Sequence, residues 1–265
     1  MEGTISVLFL ILTFLLFYSF FSPQTINFTT CGETIVDFNY FSILPLTPNI
    51  IEPMVGDLLG DGHLRFTHKD VNGKVRGNAH YAMTLKHYDY AYYLWKEIYS
   101  PICTTTPLRP WPNPIVTGKT PTQYAFSSKS LPALTVLHSQ WYILNKEKNK
   151  FIKIVPLNIG DLLTTIGIAH WIMGDGYWDN SSKTVVICTD NFTLSEVELL
   201  IIVLKSKFNL TATVQRRIKA NKEICWRIRF SSKSENIFLL RTLVQPYLIP
   251  SMLYKLNITL EKKEE

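Results

Sequence analysis

Two stretches of nine residues in this chain are nearly the same, and each ends in Gly-Asp-Gly. They read MVGDLLGDG from Met54 to Gly62 and IAHWIMGDG from Ile168 to Gly176. Their last aspartates, Asp61 and Asp175, are 114 residues apart, which is too long for a solenoid repeat and fits the duplication of a folding unit. The 265 residues suffice for two such units, each with its own core. We therefore predict two similar halves, each with one acidic residue at the same place.

The domain organisation follows from this duplication. We predict an apolar N-terminal segment and linker at 1–47, a first repeat at 48–150 and a second repeat at 151–265. Aromatic residues make up 13% of the chain, which excludes a disordered protein. The run of 17 mostly apolar residues from Ile5 to Phe21 is at the short limit for a membrane-spanning helix. A membrane or signal role for this run and an upstream coding sequence fused in frame both stay open.

The hydrophobic patterns change between helical and strand periods in the same order in both halves. In the first half they predict helices at 48–59, 88–99 and 131–144 and strands at 63–67, 78–86 and 123–127. In the second half they predict helices at 161–173 and 193–208 and strands at 183–189, 211–219 and 224–231. Thr193 and Glu196 form the sequence pattern of a capping box at the start of the second of these helices. The order αββαββα, occurring twice, predicts an α+β fold.

Polar side chains recur at every second position on strands of both halves, so one face of each sheet is predicted to be polar and basic. Two-stranded ribbons fit the major groove of DNA, where alternating side chains reach base edges and phosphates. The net charge of +6 suits a polyanionic partner only if the basic residues cluster in this way. For each single residue, a solvated sheet face is the alternative interpretation. The candidate DNA-binding residues are Arg65, His80, Thr84, Gln215, Arg217, Lys219, Arg227 and Arg229.

The two motif helices are predicted to pack against each other through small residues. Gly56 and Gly60 lie one helical turn apart, and Gly174 matches Gly60 in the second motif. His170 replaces the small residue expected at the position that matches Gly56, so the packing there must be looser or must use the imidazole ring. For His170 we expect a packing role rather than metal ligation.

Such a helix pair would bring Asp61 and Asp175 together at two helix C-termini, where the helix dipole disfavours an anion. The two carboxylates would repel each other, and a divalent cation would remove this conflict. Hard oxygen ligands near a phosphate favour Mg²⁺. Asp57 and Asp161 come earlier, in or before the same helices, and are expected to be exposed helix residues without a catalytic role.

With this duplicated order, the chain resembles the single-chain LAGLIDADG homing endonucleases, and most of all their mitochondrial intron-encoded branch. The resemblance spans about Pro48 to Ile258. It rests on both nine-residue motifs, on KIVP at Lys153 to Pro156, and on the segment YLIPSMLYKL from Tyr247 to Leu256. It implies a saddle of two antiparallel sheets with the two motif helices at the interface between the repeats.

The resemblance also implies an activity. The protein would be a monomeric, site-specific endonuclease that makes a staggered double-strand break in a long DNA target by metal-assisted hydrolysis, and so promotes intron mobility in mitochondria. The unequal polar faces of the two sheets predict that this target is asymmetric. Lys153 and Lys255 are implied to assist the two catalytic aspartates by polarising solvent or supporting the charged transition state. The implied ligands of Mg²⁺, or of Mn²⁺ as a substitute, are Asp61, Asp175 and the carbonyls of Gly60 and Gly174.

Two other functional classes stay open. An RNA maturase that assists splicing of its host intron could keep the same basic surface without cleaving DNA, because recognition of RNA shape does not need the aspartates. A membrane-anchored binding protein is suggested by the segment from Ile5 to Phe21 alone.

Overall fold

The computed structural model describes residues 46–69 and 75–259. Both predicted repeats lie within one compact unit. The helices of the first repeat are α1 (Pro48–Leu59), α2 (Tyr88–Tyr93, continued by a π-helical turn at Leu94–Ile98), α3 (Pro114–Thr117) and α4 (Pro132–Trp141). Its strands are β1 (His63–Arg65), β2 (His68–Lys69), β3 (Val75–Arg76), β4 (His80–Leu85), β5 (Arg109–Trp111), β6 (Gln123–Ser127) and β7 (Tyr142–Asn145), which is followed by β8 (Lys150–Lys153).

The second repeat has the same order of its main elements. Its helices are α5 (Ile159–Leu162), α6 (Thr165–Asp175), α7 (Leu194–Phe208) and α8 (Ser234–Val244). Its strands are β9 (Gly176–Asp179), β10 (Thr184–Cys188), β11 (Ala212–Ile218) and β12 (Ile224–Phe230). Two short 3₁₀ helices, Gln245–Tyr247 and Pro250–Leu256, follow α8.

The two main sheets share one topology. Each has four antiparallel strands, in the order β1-β4-β6-β5 in the first repeat and β9-β10-β12-β11 in the second. In both, the first strand follows directly on a motif helix, and the third strand in sequence forms the far edge. The predicted α+β fold with two αββαββα repeats is therefore confirmed.

Local sequence explains where the motif helices begin and end. Pro48 occupies the first turn of α1, where its missing N–H costs nothing, and α1 ends at Gly60. Thr164 caps α6 through its hydroxyl, which accepts the N–H of Gly167 at 3.2 Å. The capping box of Thr193 and Glu196 at the start of α7 is present as predicted.

Two predicted helices have other bounds in the structure, and one strand spans the predicted division between the repeats. The helix predicted at 131–144 ends at Trp141, because the chain becomes extended at Tyr142 and pairs as β7 with β8. Strand β8 itself crosses the predicted boundary between residues 150 and 151. The helix predicted at 161–173 is divided into α5 and α6, since Leu163 adopts an extended conformation and Thr164 caps a new helix.

The core is apolar and lies on both sides of the α1–α6 helix pair. It includes completely buried side chains of both halves, among them Met54, Leu58, Ile168 and Ile172. No helix within the described ranges is long and apolar enough to cross a bilayer. The segment from Ile5 to Phe21, on which the membrane interpretation depended, lies outside these ranges.

Candidate active site

The closest contact between the two motif helices joins Gly56 of α1 to Gly167 of α6. A Cβ atom on Gly56 would lie 2.0 Å from the carbonyl oxygen of Gly167, so this approach requires glycine. A Cβ on Gly60 would lie 3.1 Å from Oδ1 of Asp175, whereas a Cβ on Gly174 would meet no atom within 4 Å. The predicted pairing of α1 with α6 is therefore found. Gly167, rather than His170, lies opposite Gly56, and Gly174 makes no close approach to α1.

His170 instead belongs to a buried polar cluster around Asp57. Asp57 is only 2% exposed, and its carboxylate accepts hydrogen bonds from Tyr81 and Tyr90 at 3.1 Å and from Tyr99 at 2.5 Å. Nδ1 of His170 lies 3.5 Å from the same carboxylate. Burial, and next the charge of Asp57, holds the pKa of the three tyrosines well above the usual range, so their hydroxyls remain donors.

The prediction that Asp57 is an exposed helix residue was therefore wrong. A buried carboxylate is tolerated only where several donors satisfy it, and three tyrosines from other elements do so here. Asp161 is exposed, as predicted. His170 is buried in protein, which agrees with the packing role expected for it.

Asp61 and Asp175 both face an open cavity of about 420 Å³ at the C-terminal ends of α1 and α6. Asp61 is exposed, while Asp175 is partly buried against Gly60. Burial, and next the negative charge of Asp61, raises the pKa of Asp175 to about 7. Asp61 also lines a second cavity of about 280 Å³ on the side of the first sheet. The remaining residues that line the larger cavity are Leu59, Gly60, Lys153, Gly174, Gly176, Tyr177, Cys188, Thr189, Asp190, Asn191 and Phe192.

Each motif helix is held at its carbonyl end by one lysine from the last segment of its own repeat. Nζ of Lys153 donates to the carbonyls of Leu58, Gly60 and Gly62 at 3.0, 2.7 and 2.8 Å. Nζ of Lys255 donates to the carbonyl of Gly174 at 3.0 Å and to that of the preceding Met173 at 2.6 Å. Burial lowers the pKa of both lysines to about 8, and the charge of Asp175 partly offsets this effect. Both ammonium groups therefore place positive charge where the helix dipoles are negative.

The polar face of the first sheet follows from its register, because directly opposed residues in an antiparallel pair point to the same side. Thr84 opposes Ala125, which opposes Arg109, and Gln123 opposes Trp111. Thr84 and Gln123 line the smaller cavity beside Asp61, so this row faces the candidate site. Sequence reasoning missed Arg109, Trp111 and Gln123, because the sequence Arg-Pro-Trp at 109–111 has no polar-apolar alternation that would indicate a strand.

His80 and Arg65 act together rather than separately. Nε of Arg65 donates to Nε2 of His80 at 3.0 Å, and Thr67 lies 3.2 Å from the other ring nitrogen. His80 is only 8% exposed, and burial, followed by the charge of Arg65, lowers its pKa, so the ring accepts as the neutral form. His80 was predicted as a DNA-binding residue, but its buried position makes it a support that orients Arg65.

On the second sheet, the predicted DNA-binding residues lie on one face but differ in their exposure and in their pairing with acidic residues. Arg227 opposes both Cys188 and Gln215, and Thr213 opposes Arg229. Arg217 is exposed and Arg229 is half-buried. Lys219 lies 3.9 Å from the carboxylate of Glu223 across the turn.

Arg227 is held by an ion pair. Its Nε and Nη2 donate to the two carboxylate oxygens of Asp190 at 2.9 and 3.2 Å, and Nη1 donates to the hydroxyl of Tyr177 at 3.3 Å. These hydrogen bonds lower the pKa of Asp190 and raise that of Arg227. Arg227, predicted as a DNA-binding residue, is therefore buried and bound to Asp190 rather than free on the sheet face. Asp190 and Tyr177 place this pair at the wall of the larger cavity.

Comparison with known proteins agrees with this geometry. Residues 51–238 match the model of the LAGLIDADG DNA endonuclease family. The chain is 29% identical over 222 residues to the cytochrome b mRNA maturase bI2 of Saccharomyces cerevisiae; this covers 82% of the chain but only 49% of the maturase, about half its length. It is 30% identical over 216 residues to the probable intron-encoded endonuclease 1 of Wickerhamomyces canadensis, covering 77% of the chain and 82% of that protein.

Among solved structures, the homing endonuclease I-WcaI bound to its DNA recognition sequence is similar with a TM-score of 0.65 and 22% identity. The match covers 86% of this chain and 96% of that one, and it confirms the fold. The predicted class of enzyme, a DNA endonuclease, is confirmed by the family match. With the duplicated Gly-Asp-Gly helices, their paired aspartates and a family match over most of its length, the chain belongs to the LAGLIDADG DNA endonuclease family.

Proposed function

We propose that this endonuclease makes a staggered double-strand break at one asymmetric DNA site, with Asp61 serving one strand and Asp175 the other. The observation that carries this proposal is that both aspartates lie at the ends of two tightly packed helices and line one cavity. The polar face of the second sheet lines this cavity, the polar face of the first sheet lines the smaller cavity beside Asp61, and the two faces carry different residues. A duplex that lies along both sheets would therefore meet two unlike surfaces, which favours an asymmetric target over a palindrome.

The residues present fit a divalent cation. Two carboxylates line one cavity, and burial and the charge of Asp61 raise the pKa of Asp175 to about 7 although Lys153 and Lys255 partly offset this effect. No cluster of three or more His, Cys, Asp or Glu side chains capable of holding a metal is found in residues 46–69 and 75–259. Magnesium commonly uses one or two carboxylates and takes its other ligands from substrate phosphates and water, which matches this set. We propose Mg²⁺, with Mn²⁺ as a substitute, held by Asp61, Asp175 and the carbonyls of Gly60 and Gly174.

When bound, such an ion would lower the pKa of an attacking water and stabilise the leaving oxygen of the phosphodiester. The residues of the chain supply the remaining functions. Asp61 and Asp175 provide the carboxylate oxygens, each fixed at the end of a rigid helix. Lys153 and Lys255 hold the glycine carbonyls and add positive charge near the scissile phosphates. The sheet faces position the duplex by phosphate and base contacts.

The biological setting belongs to the same proposal. One chain contains both aspartates, so a monomer suffices for a double-strand break. The Wickerhamomyces canadensis relative is named a probable intron-encoded endonuclease, which supports intron mobility as the outcome of cleavage. The similarity to the cytochrome b mRNA maturases of two yeasts supports mitochondria as the place of action.

A second candidate function is assistance in splicing the host intron RNA. It is favoured by the similarity to the yeast cytochrome b mRNA maturase. The two functions make opposite demands on the aspartates, because binding of intron RNA would survive their neutralisation and cleavage of DNA would not.

The test is cleavage, in the presence of Mg²⁺ and separately of Mn²⁺, of a duplex that spans the insertion site of the host intron. Asp61→Asn and Asp175→Asn are each expected to abolish the double-strand break. Asp161→Asn is the matched control, because Asp161 is an exposed carboxylate on α5. Full double-strand cleavage by either single variant, with a thermal midpoint equal to that of the parent, would refute the assignment. Stimulation of intron splicing without cleavage by the parent would favour the maturase.

A further inference from the structure

The connection between β5 and β6 exposes three large apolar side chains. Trp111 is 68% exposed, Ile115 is 93% exposed and Val116 is 79% exposed. Apolar side chains clustered in solvent without a structural neighbour commonly mark a surface that binds a partner. The connection is therefore a candidate contact surface beyond the catalytic centre.

Hydrogen bonds hold this connection in one conformation. The N–H of Ile115 donates to Oδ1 of Asn113 at 3.0 Å, and the hydroxyl of Thr117 donates to the carbonyl of Asn113 at 2.7 Å. The N–H of Thr122 donates to the carbonyl of Trp111 at 2.8 Å and closes the base of the loop. A preformed loop loses little conformational entropy when its apolar side chains bind.

Trp111 lies on the face of the first sheet that is turned to the candidate active site. It opposes Gln123 on β6, and Gln123 lines the cavity beside Asp61 together with Thr84. Arg109, two residues earlier, projects from the same face. Strand β5 forms the edge of the sheet that is farthest from β1 and hence from the motif helices. Trp111 therefore extends the proposed DNA-binding face outward.

The charge around the loop fits a nucleic acid. The chain has no Asp or Glu from residue 98 to residue 146. The same stretch contains four basic residues, Arg109, Lys119, Lys129 and Lys146. Such a segment favours a polyanion and is unsuited to a basic protein partner.

The corresponding connection of the second repeat, between β11 and β12, is the five residues KANKE at 219–223 and contains no aromatic residue. The exposed Ile218 and Ile224 at its ends oppose each other on the face opposite to that of Arg217. An aromatic side chain on the polar face at this edge is thus a property of the first half.

We propose that Trp111, supported by Ile115 and Val116, inserts against a base step at the outer end of the DNA half-site bound by the first repeat. Apolar side chains of other DNA-binding proteins unstack base steps in this way, and aromatic stacking on bases contributes substantially to affinity. The proposal rests on the proposed function, since it needs a bound duplex. It adds a sequence-tolerant contact at one end of the target only.

The experiment measures the affinity of the full chain for a duplex spanning the intron insertion site and for the same duplex shortened at either end. Trp111→Ala is expected to weaken binding to the intact duplex roughly tenfold and to have no effect on the duplex shortened at the end bound by the first repeat. Trp111→Phe should restore most of the affinity. Phe238→Ala is the control, because Phe238 is an aromatic side chain that is 73% exposed on α8.

A fluorescent 2-aminopurine placed at successive positions of that end should brighten at one step with the parent and stay dark with Trp111→Ala. Equal affinities of the parent and Trp111→Ala for the intact duplex would overturn the inference and leave the proposed function standing. An equal loss on both duplexes, or a loss confined to intron RNA, would also overturn it. Failure of the parent to bind any of the duplexes would instead overturn the proposed function together with this inference.

Discussion

Replacing Gly56 by alanine is expected to separate the two motif helices. The new Cβ would lie 2.0 Å from the carbonyl oxygen and 2.8 Å from the carbonyl carbon of Gly167. These are main-chain atoms inside α6, so no side chain can rotate away from the clash. Because a Cβ essentially never approaches another heavy atom closer than 3.0 Å, the helices would have to move apart by about 1 Å at this point.

The loss of stability on replacing glycine by alanine can be compared among three glycines of the motif helices. Overpacking of a close-packed interior costs about 1–3 kcal/mol, and sometimes more when the backbone must shift. Alanine gains roughly 0.5–1 kcal/mol over glycine inside a helix, and this gain applies to any of the helical glycines. Gly174→Ala meets no atom within 4 Å, and Gly167→Ala meets Glu52 O and the Leu163 side chain at 3.2 Å. We expect stability to decrease in the order Gly174→Ala, Gly167→Ala, Gly56→Ala.

Thermal unfolding of the three variants and the parent checks this order. A difference of about 2–3 kcal/mol between Gly56→Ala and Gly174→Ala corresponds to roughly 5–10 °C in Tm for a unit of this size. If Gly56→Ala melts at or above the temperature of Gly174→Ala, the clash between the new Cβ and the main chain of Gly167 does not destabilise the helix pair. Separation of the helices would also move Gly60 away from the Asp175 carboxyl group, so cleavage by Gly56→Ala should fall even at temperatures where it is folded.

Two further expectations follow from buried or paired groups. Arg227→Gln, and likewise Asp190→Asn, should slow cleavage of the strand proposed for Asp175 roughly tenfold more than that of the other strand, because the charge of Asp190 acts on Asp175; equal slowing of both strands, measured with separate end labels, would contradict this. His138 is 4% exposed and stacks on Tyr142, and burial lowers its pKa from 6.5 to about 4. Since the unfolded chain takes up this proton near pH 6.5 and the folded chain does not, stability should fall by about 3 kcal/mol as the pH drops from 6.5 to 4. His138→Phe should lack this part of the pH dependence in urea unfolding, and an unchanged pH profile would refute it.

The elements that sequence predicts best are those with local physical causes. Strand β6 has the predicted bounds, and α7 begins at its capping box, because alternation and capping involve residues only a few positions apart. The long-range repetition of Gly-Asp-Gly also predicts the pairing of α1 with α6, since a duplicated apolar helix needs a partner for its exposed small residues.

Contacts between distant segments could not be predicted in the same way. Gly167 lies one residue before the second motif, and only the crossing of the two helices shows that it, rather than His170, meets Gly56. The pairing of Arg227 with Asp190 likewise joins β12 to the turn that follows β10, and the strand pattern alone does not specify this contact. In both cases the sequence pattern predicts which face a residue is on, while tertiary packing decides which atom it meets.

The two halves correspond in one part of the same framework and differ in another. At the carbonyl ends of the motif helices the halves correspond, since each has one aspartate and one lysine that binds main-chain oxygens. One turn earlier they differ: Asp57 accepts three tyrosine hydroxyls, whereas the matching residue, Trp171, is a completely buried indole. Because a polar cluster and an indole respond differently to the same substitution, mutational effects inside the helix pair should not transfer from one repeat to the other. Mutational effects at the aspartates and lysines should transfer, because both repeats present the same groups there.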